Sequence, residues 1–360
     1  MRYILLGIVF WVALWAQNGV KVLLLDQIAE NGFSLDTGIF RRIEELVSER
    51  ELMGHLTFLA SDALQGREAG SPYEKVAATY LIAHHQRWGN APFLPSGYVH
   101  AFPLRRLRPT SEALESPKNA SRKKPALPPQ AMYDTVFAWN VLAYRPGREY
   151  PTQYVILSAH YDHLGVNSRG EVYNGADDNG SGTAVLLEAA RILSLLPPPK
   201  RSVIFFHTGA EEKGLIGAFR FVRDSLVPLD SIVAVLNVDM LGRTDTAHKP
   251  GENYLYAIGP AYTTPRLREI HEAVNALCCG WQFDYRYDDK NHPERLFYRS
   301  DHYAFAQKGV PAIFYFGGLH GDYHQPTDDI EKIEPPRLRR AAMLLAALAW
   351  TMANMAFSTC

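Results

Sequence analysis

From Thr135 onward, short apolar runs alternate with stretches of helical apolar spacing. Val136–Ala143, Tyr154–Ala159, Ser202–Phe206, Ile232–Asn237, Leu255–Ile258 and Ala312–Phe316 read as strands. Most are continuous apolar runs, the pattern of strands covered on both faces. Between and beyond them, Gly182–Leu196, Gly214–Ser225, Thr264–Leu277 and Ser300–Gln307 read as helices, and Pro336–Ala356 as a long apolar one. Pro197-Pro198-Pro199 ends the first of these, because proline has no amide hydrogen to continue a helix. Strands alternating with helices predict an α/β fold: a three-layer sandwich with a mixed, largely parallel central sheet and helices on both faces.

Upstream the pattern is helical. Val20–Glu51 is amphipathic, with Phe40, Ile43 and Val47 on one stripe. Leu52–Arg67 leads into a turn cluster at Gly66–Pro72. Pro72–Trp88 follows as a helix with Ala77, Ala78, Leu81 and Ile82 inward, and Tyr98–Leu104 as a short strand. Arg105–Gln130 has no apolar period and is rich in Pro, Ser, Lys and Arg, so it reads as an exposed excursion.

The extreme N-terminus breaks the pattern. One positive side chain, Arg2, precedes the apolar run Tyr3–Ala16, which is too short to span a bilayer comfortably. Residues 1–16 read as a secretory signal peptide with cleavage near Ala16-Gln17, and 17–360 as a single domain with the 105–130 excursion. An uncleaved anchor is the alternative. Export to a periplasmic or extracellular space and no stable membrane insertion after cleavage are the expectations. An oxidising destination allows a disulfide among Cys278, Cys279 and Cys360, with a link from one of the adjacent pair to Cys360 geometrically easier than one within it. The 360-residue chain is 47% hydrophobic with a net charge of −1, so no nucleic-acid or anionic-surface partner is indicated. Oligomeric state is not encoded in any recognisable pattern.

Chemistry collects where the predicted strands end. His160, Asp162, His163, Asp177 and Asp178 follow Tyr154–Ala159, before the Gly180-Ser181-Gly182 turn. His207, Glu211 and Glu212 follow Ser202–Phe206, and Asp239 follows Ile232–Asn237. His320, Asp322 and His324 follow Ala312–Phe316. In an open α/β sheet, ligands bind at the carboxyl ends of the strands. One strand-end carboxylate is commonly a helix cap. Four such segments in one sheet, each beside glycines, point instead to a site. Imidazole and carboxylate donors without cysteine suit a catalytic zinc site with positions left open, and the adjacent Glu211 and Glu212 suit a division between base and ligand.

These motifs resemble the M28 family of co-catalytic zinc peptidases, of the bacterial aminopeptidase type. His160-Tyr161-Asp162, Asp178-Asn179-Gly180-Ser181-Gly182, Glu211-Glu212, Asp239 and His324 stand in the family's order. Ser300-Asp301-His302 with Gly309-Val310-Pro311, and Leu64-Gln65-Gly66-Arg67 with Gly70-Ser71, are also similar to it, so the likeness runs from about residue 50 to 350. The resemblance implies two zinc ions bridged by Asp178, one held by His160 and Asp239 and the other by Glu212 and His324. It implies Glu211 as general base, Asp162 as the residue that orients His160, and a cis Asp178–Asn179 peptide. His163 and His207 read as structural or rim residues, His320 and Asp322 as rim or supporting ones. Tyr298 and Tyr287 lie in the right part of the chain for an oxyanion donor, with nothing to single out either. The expected activity is a di-zinc exopeptidase, an aminopeptidase by resemblance, acting on peptides. The alternatives are a glutaminyl cyclase using one zinc and a non-catalytic relative; retention of Glu211 beside a full ligand set disfavours the latter.

Overall fold

The computed structural model describes residues 35–107 and 133–355. Residues 1–16, and with them the predicted signal peptide, lie outside that set. The main sheet contains β1 (Ala91–Pro92), β2 (Val99–Leu107), β3 (Tyr133–Arg145), β4 (Tyr150–His160), β7 (Arg201–Thr208), β8 (Ile232–Asp239), β9 (Tyr254–Ile258), β10 (Gln282–Asp284) and β11 (Ala312–Phe316). Its order is β1-β3-β7-β4-β8-β11-β9-β10, with β2 also on β3. β7, β4, β8 and β11 run parallel, while β3 and β9 pair antiparallel with β7 and β11. A two-stranded ribbon, β5 (Gly165–Val166) and β6 (Val172–Tyr173), stands beside the sheet.

The helices are α1 (Thr37–Leu46), α2 (Glu49–Leu59), α3 (Pro72–Arg87), α4 (Gly182–Leu195), α5 (Ile216–Arg223), α6 (Pro260–Thr263), α7 (Pro265–Cys278), α8 (His302–Ala306) and α9 (Pro335–Asn354). Strand side chains alternate between faces. Val155, Leu157 and Ala159 of β4 join Val203 and Phe205 of β7 in the core under α4 and α9. Ile156, Ile204, Phe206 and Val235 face the opposite layer, where Phe221 of α5 and Phe305 of α8 pack. The result is the α/β sandwich with a mixed sheet that the sequence predicts. Among the described residues no helix is long and apolar enough to cross a membrane.

Several elements differ in extent. Within 20–51, the described part is not one helix. It breaks at Val47-Ser48, because the Ser48 side chain accepts from the Glu51 amide and caps a second helix. β2 and β3 are longer than expected and pair from Val99↔Val141 to Leu107↔Tyr133, a ribbon that leads into the excursion. Residues 105–107 of that predicted excursion are therefore strand; the excursion's remainder lies outside the described residues. The disulfide joins Cys278 to Cys279 at the end of α7. Cys360, the partner geometry favoured, lies outside the described residues.

Candidate metal centre

The carboxyl ends of the parallel strands set the site. β4 ends on His160, β8 ends on Asp239, Glu211 and Glu212 lie just past β7, and His324 lies on the loop after β11. Asp178 comes from the turn Ala176–Ser181 that feeds α4. That turn is tightly built. Asn179 donates to the Val238 carbonyl and accepts from the amides of Gly182 and Met240, which ties it to the end of β8. A Cβ at Gly182 would stand 2.2 Å from Asn179 Oδ1 and 2.8 Å from the Val238 carbonyl, so only glycine fits there. The Asp328 carboxylate accepts the amides of Asp177 and Asp178. The Asp178–Asn179 peptide is cis.

Asp178 divides its two oxygens. Its Oδ1 lies 3.3 Å from His160 Nε2, which is also 3.3 Å from Asp239 Oδ1. Its Oδ2 lies 3.1 Å from His324 Nε2, which is also 3.3 Å from Glu212 Oε2. Each half thus offers one imidazole and two carboxylates, with Asp178 common to both. His163 adds a further nitrogen: its Nδ1 is 2.8 Å from Glu212 Oε1 and 3.9 Å from Asp178 Oδ2. These side chains are buried except His324, which keeps 35% of its side-chain surface exposed.

Burial of so much like charge decides what the site can hold. The cavity is lined by Asp178, Glu211, Glu212 and Asp239 against His160, His324 and Arg299. Burying carboxylates without compensation costs several kcal/mol each, so the cluster calls for added positive charge. The donor chemistry, imidazole nitrogen and carboxylate oxygen with no sulfur, fits zinc. The titration behaviour follows the same geometry. Burial pushes Glu211 well above the usual carboxylate range, and the nearby Asp301, Glu212 and Asp239 add to this. Burial would raise Asp178 too, but hydrogen bonds from His160 and His324 and the charge of His163 hold it well below. Burial lowers His324 while hydrogen bonds to Asp178 and Glu212 prevail, raising it to about 10. The two neighbouring glutamates are therefore set apart: burial raises Glu212 but hydrogen bonds from His163 and His324 prevail and draw it down, while for Glu211 burial prevails over the opposing charge of His160.

Supporting contacts run through a buried polar chain. Ser158 Oγ donates to Asn237 Oδ1 at 2.7 Å, Asn237 Nδ2 to Ser300 Oγ at 2.8 Å, and Ser300 Oγ to Asp239 Oδ2 at 2.8 Å. His160 Nδ1 donates to the main-chain carbonyl of Asp162 at 3.2 Å. The Asp162 carboxylate stands 3.9 Å from that nitrogen and instead accepts the Glu211 amide at 3.0 Å. Asp162 therefore orients His160 through its backbone and Glu211 through its side chain. Arg67 is buried and donates to the carbonyls of Leu59, Tyr161, Asn174 and Gly175, bracing the loops on this side.

The remaining sequence candidates fall outside the cluster. His207 is buried with its Nε2 2.9 Å from His85 Nε2, a core pair. Asp177 accepts the Gly242 amide and pairs with His320 at 3.1 Å, so both its oxygens are occupied away from Asp178's partners. Asp322 pairs with Arg243 and Lys332. Neither Tyr298 nor Tyr287 lines the cavity; Tyr323 does, stacked on His324 at 3.8 Å between ring centroids. Sequence reasoning placed His163 only as a structural or rim residue and Arg67 and Ser300 only within family-like motifs, and it missed Tyr323, Ser158 and Asn237. His163 had one signal, its place three residues after His160, and Ser300 had its motif; Ser158 and Asn237 had none, since they look like ordinary strand residues.

Known proteins carry the same arrangement of elements. The sequence model of peptidase family M28 matches residues 140–349. The chain is 26% identical over 314 residues to aminopeptidase YwaD of Bacillus subtilis, covering 82% of this chain and 62% of that one. The chain spans about three fifths of the length of the first curated relatives it matches. An aminopeptidase from Aneurinibacillus sp. strain AM-1 superposes with a TM-score of 0.65 at 17% identity, over 88% of this chain and 97% of that one. The glutaminyl cyclase of Porphyromonas gingivalis superposes less closely, with a TM-score of 0.57 at 18% identity over 84% and 98%. With a family model over more than half its length and the ordered motifs converging at one sheet end, the chain belongs to peptidase family M28.

Proposed function

We propose that this chain is a two-zinc aminopeptidase. The observation that carries the reading is the division of Asp178, one oxygen toward His160 and Asp239 and the other toward His324 and Glu212. A site for one zinc with three protein ligands would leave part of that set without a metal. His160, Asp178 and Asp239 would hold one ion; Glu212, His324 and the same Asp178 the other. Zinc bound there would polarise a scissile carbonyl and acidify water.

The chain's own residues do the rest. Glu211 lines the cavity, and its ionised carboxylate would take the proton of the attacking water. It then delivers that proton to the leaving amine. Tyr323 and Arg299 stand at the same cavity, with the Arg299 guanidinium donating to the Tyr323 hydroxyl at 3.1 Å, and offer polar contacts to the peptide. Met240, Leu296, Phe314, Phe316 and Leu319 line the remainder and suit an apolar side chain. The choice of aminopeptidase over carboxypeptidase rests on the similarity to YwaD and the Aneurinibacillus enzyme. It is tested by comparing leucyl p-nitroanilide with its N-acetylated form and with an N-terminal glutaminyl peptide. Cleavage of the free substrate alone is expected; equal cleavage of both anilides, or cyclisation of the glutaminyl peptide in their place, overturns the reading.

Export completes the proposal. It is supported by Arg2 followed by the apolar run Tyr3–Ala16, and N-terminal sequencing of the protein from its native host should begin near Gln17. An intact Met1 on soluble cytosolic protein would contradict it.

A further inference from the structure

We propose that His163 is a positioning residue for the second metal: it holds Glu212 by the oxygen that faces away from His324, and so presents the other oxygen for ligation. The inference rests on the two-metal reading above.

Glu212 uses its two oxygens differently. Oε2 is the atom 3.3 Å from His324 Nε2, on the side of Asp178 Oδ2. Oε1 is 2.8 Å from His163 Nδ1, a hydrogen-bond distance. His163 is farther from the bridging carboxylate, 3.9 Å from Asp178 Oδ2 against 3.1 Å for His324. A nitrogen that sits on one carboxylate oxygen and stands off the shared one is placed to orient the ligand, in the manner of the partners that fix metal-binding carboxylates.

The proton assignment follows from the partners. An ionised carboxylate only accepts, so Nδ1 carries the proton. Among the described residues His163 Nε2 is buried with no hydrogen-bond partner.

The ring itself is clamped. The His163 amide donates to the Arg67 carbonyl, and residue 163 bridges to Glu68. Gly175 adopts φ +54°, and a Cβ on it would stand 2.5–2.6 Å from the His163 ring, so the backbone there closes directly on the imidazole. The side chain is wholly buried. It therefore gives Glu212 one fixed donor in one direction. His324, on a loop and partly exposed, provides no such constraint.

Two substitutions separate the donor from the bulk. His163→Phe keeps a ring and removes the donor; His163→Asn places an amide nitrogen close to the Nδ1 position. Zinc alone is the probe, titrated into the full metal-free chain against a chromogenic chelator, with circular dichroism to check the fold. Wild type should take up two zinc ions. His163→Phe should weaken one of them by about 10–100-fold and leave the other within about twofold, the scale of lost ligand-orienting contacts. His163→Asn should recover most of the loss. Two unchanged affinities in a folded His163→Phe chain overturn this proposal alone, as does an Asn variant as weak as the Phe variant. Uptake of a single zinc by wild type overturns it together with the two-metal reading.

Discussion

Ser300 offers the sharpest test of how the protein part of the site works. Its hydroxyl donates to Asp239 Oδ2 and receives the amide of Asn237, both at 2.8 Å and both buried. Ser300→Ala removes the hydroxyl and nothing else. Asn237 Nδ2 is then left as a buried donor without its acceptor, which costs about 1–3 kcal/mol of stability in the metal-free chain. Asp239 must be ionised to bind zinc, and hydrogen bonds to charged groups are worth about 1.5–3 kcal/mol. Losing that contact should weaken binding of an ion that His160 and Asp239 would hold by about 10–100-fold. On the two-zinc reading, an ion held by Glu212 and His324 would lie away from Ser300 and Asn237 and should change little. Chelator competition reads both affinities, and urea unfolding of the metal-free protein reads stability. Loss at the Glu212 side, or an unaltered affinity at both, would refute the reasoning that the Ser158–Asn237–Ser300 chain serves Asp239.

Two further outcomes follow from the same geometry. Glu211→Gln should retain zinc and lower kcat by about two to four powers of ten, the scale of general-base removal; loss of zinc with turnover preserved would show that the two glutamates have exchanged roles. Zinc affinity should rise with pH. His324 in the metal-free chain sits at about 10, above the ordinary value, so between pH 6 and 8 it holds a proton that zinc must displace. Each proton released adds about tenfold in apparent affinity per pH unit, so chelator competition at pH 6 and pH 8 should differ by about 100-fold or more. A flat profile would contradict the assignment of His324 as a ligand.

The fold was largely legible because its centre is made of runs that need no partner to be recognised. β4, β7, β8 and β11 are apolar on both faces, and each appears in the sequence as a continuous hydrophobic stretch. Their parallel pairing follows from the helices between them. Boundaries were less legible where one polar side chain decides them. Ser48 splits the N-terminal amphipathic pattern by capping a new helix, and periodicity runs through such a cap unchanged. The long β2–β3 ribbon was hidden because it lies at the edge, where residues such as Phe137 are exposed and the apolar run is interrupted.

The candidate site was legible as residue types and not as contacts. His160, Asp178, Glu212, Asp239 and His324 announce themselves as strand-end donors and Glu211 as the base beside them, and the structure brings all six to one cavity. What orients them is a matter of space. Asp162 reaches the Glu211 amide across 49 residues, and Asn237 reaches Ser300 across 63. His163 read as peripheral because nothing in His160–His163 says which way its ring turns; the absence of a side chain at Gly175 decides that. Cys278 and Cys279 read as unsuited to each other, yet the chain joins them where α7 ends.

On the proposed reading, activity needs two ions shared through Asp178. The direct measurement is stepwise addition of zinc to the metal-free chain, with bound metal and leucyl p-nitroanilide hydrolysis followed at every step. Hydrolysis should continue to rise until two zinc ions are bound per chain, and Asp178→Asn should lower affinity for both. Full activity at one zinc per chain, or an Asp178→Asn protein that loses only one ion, would contradict it.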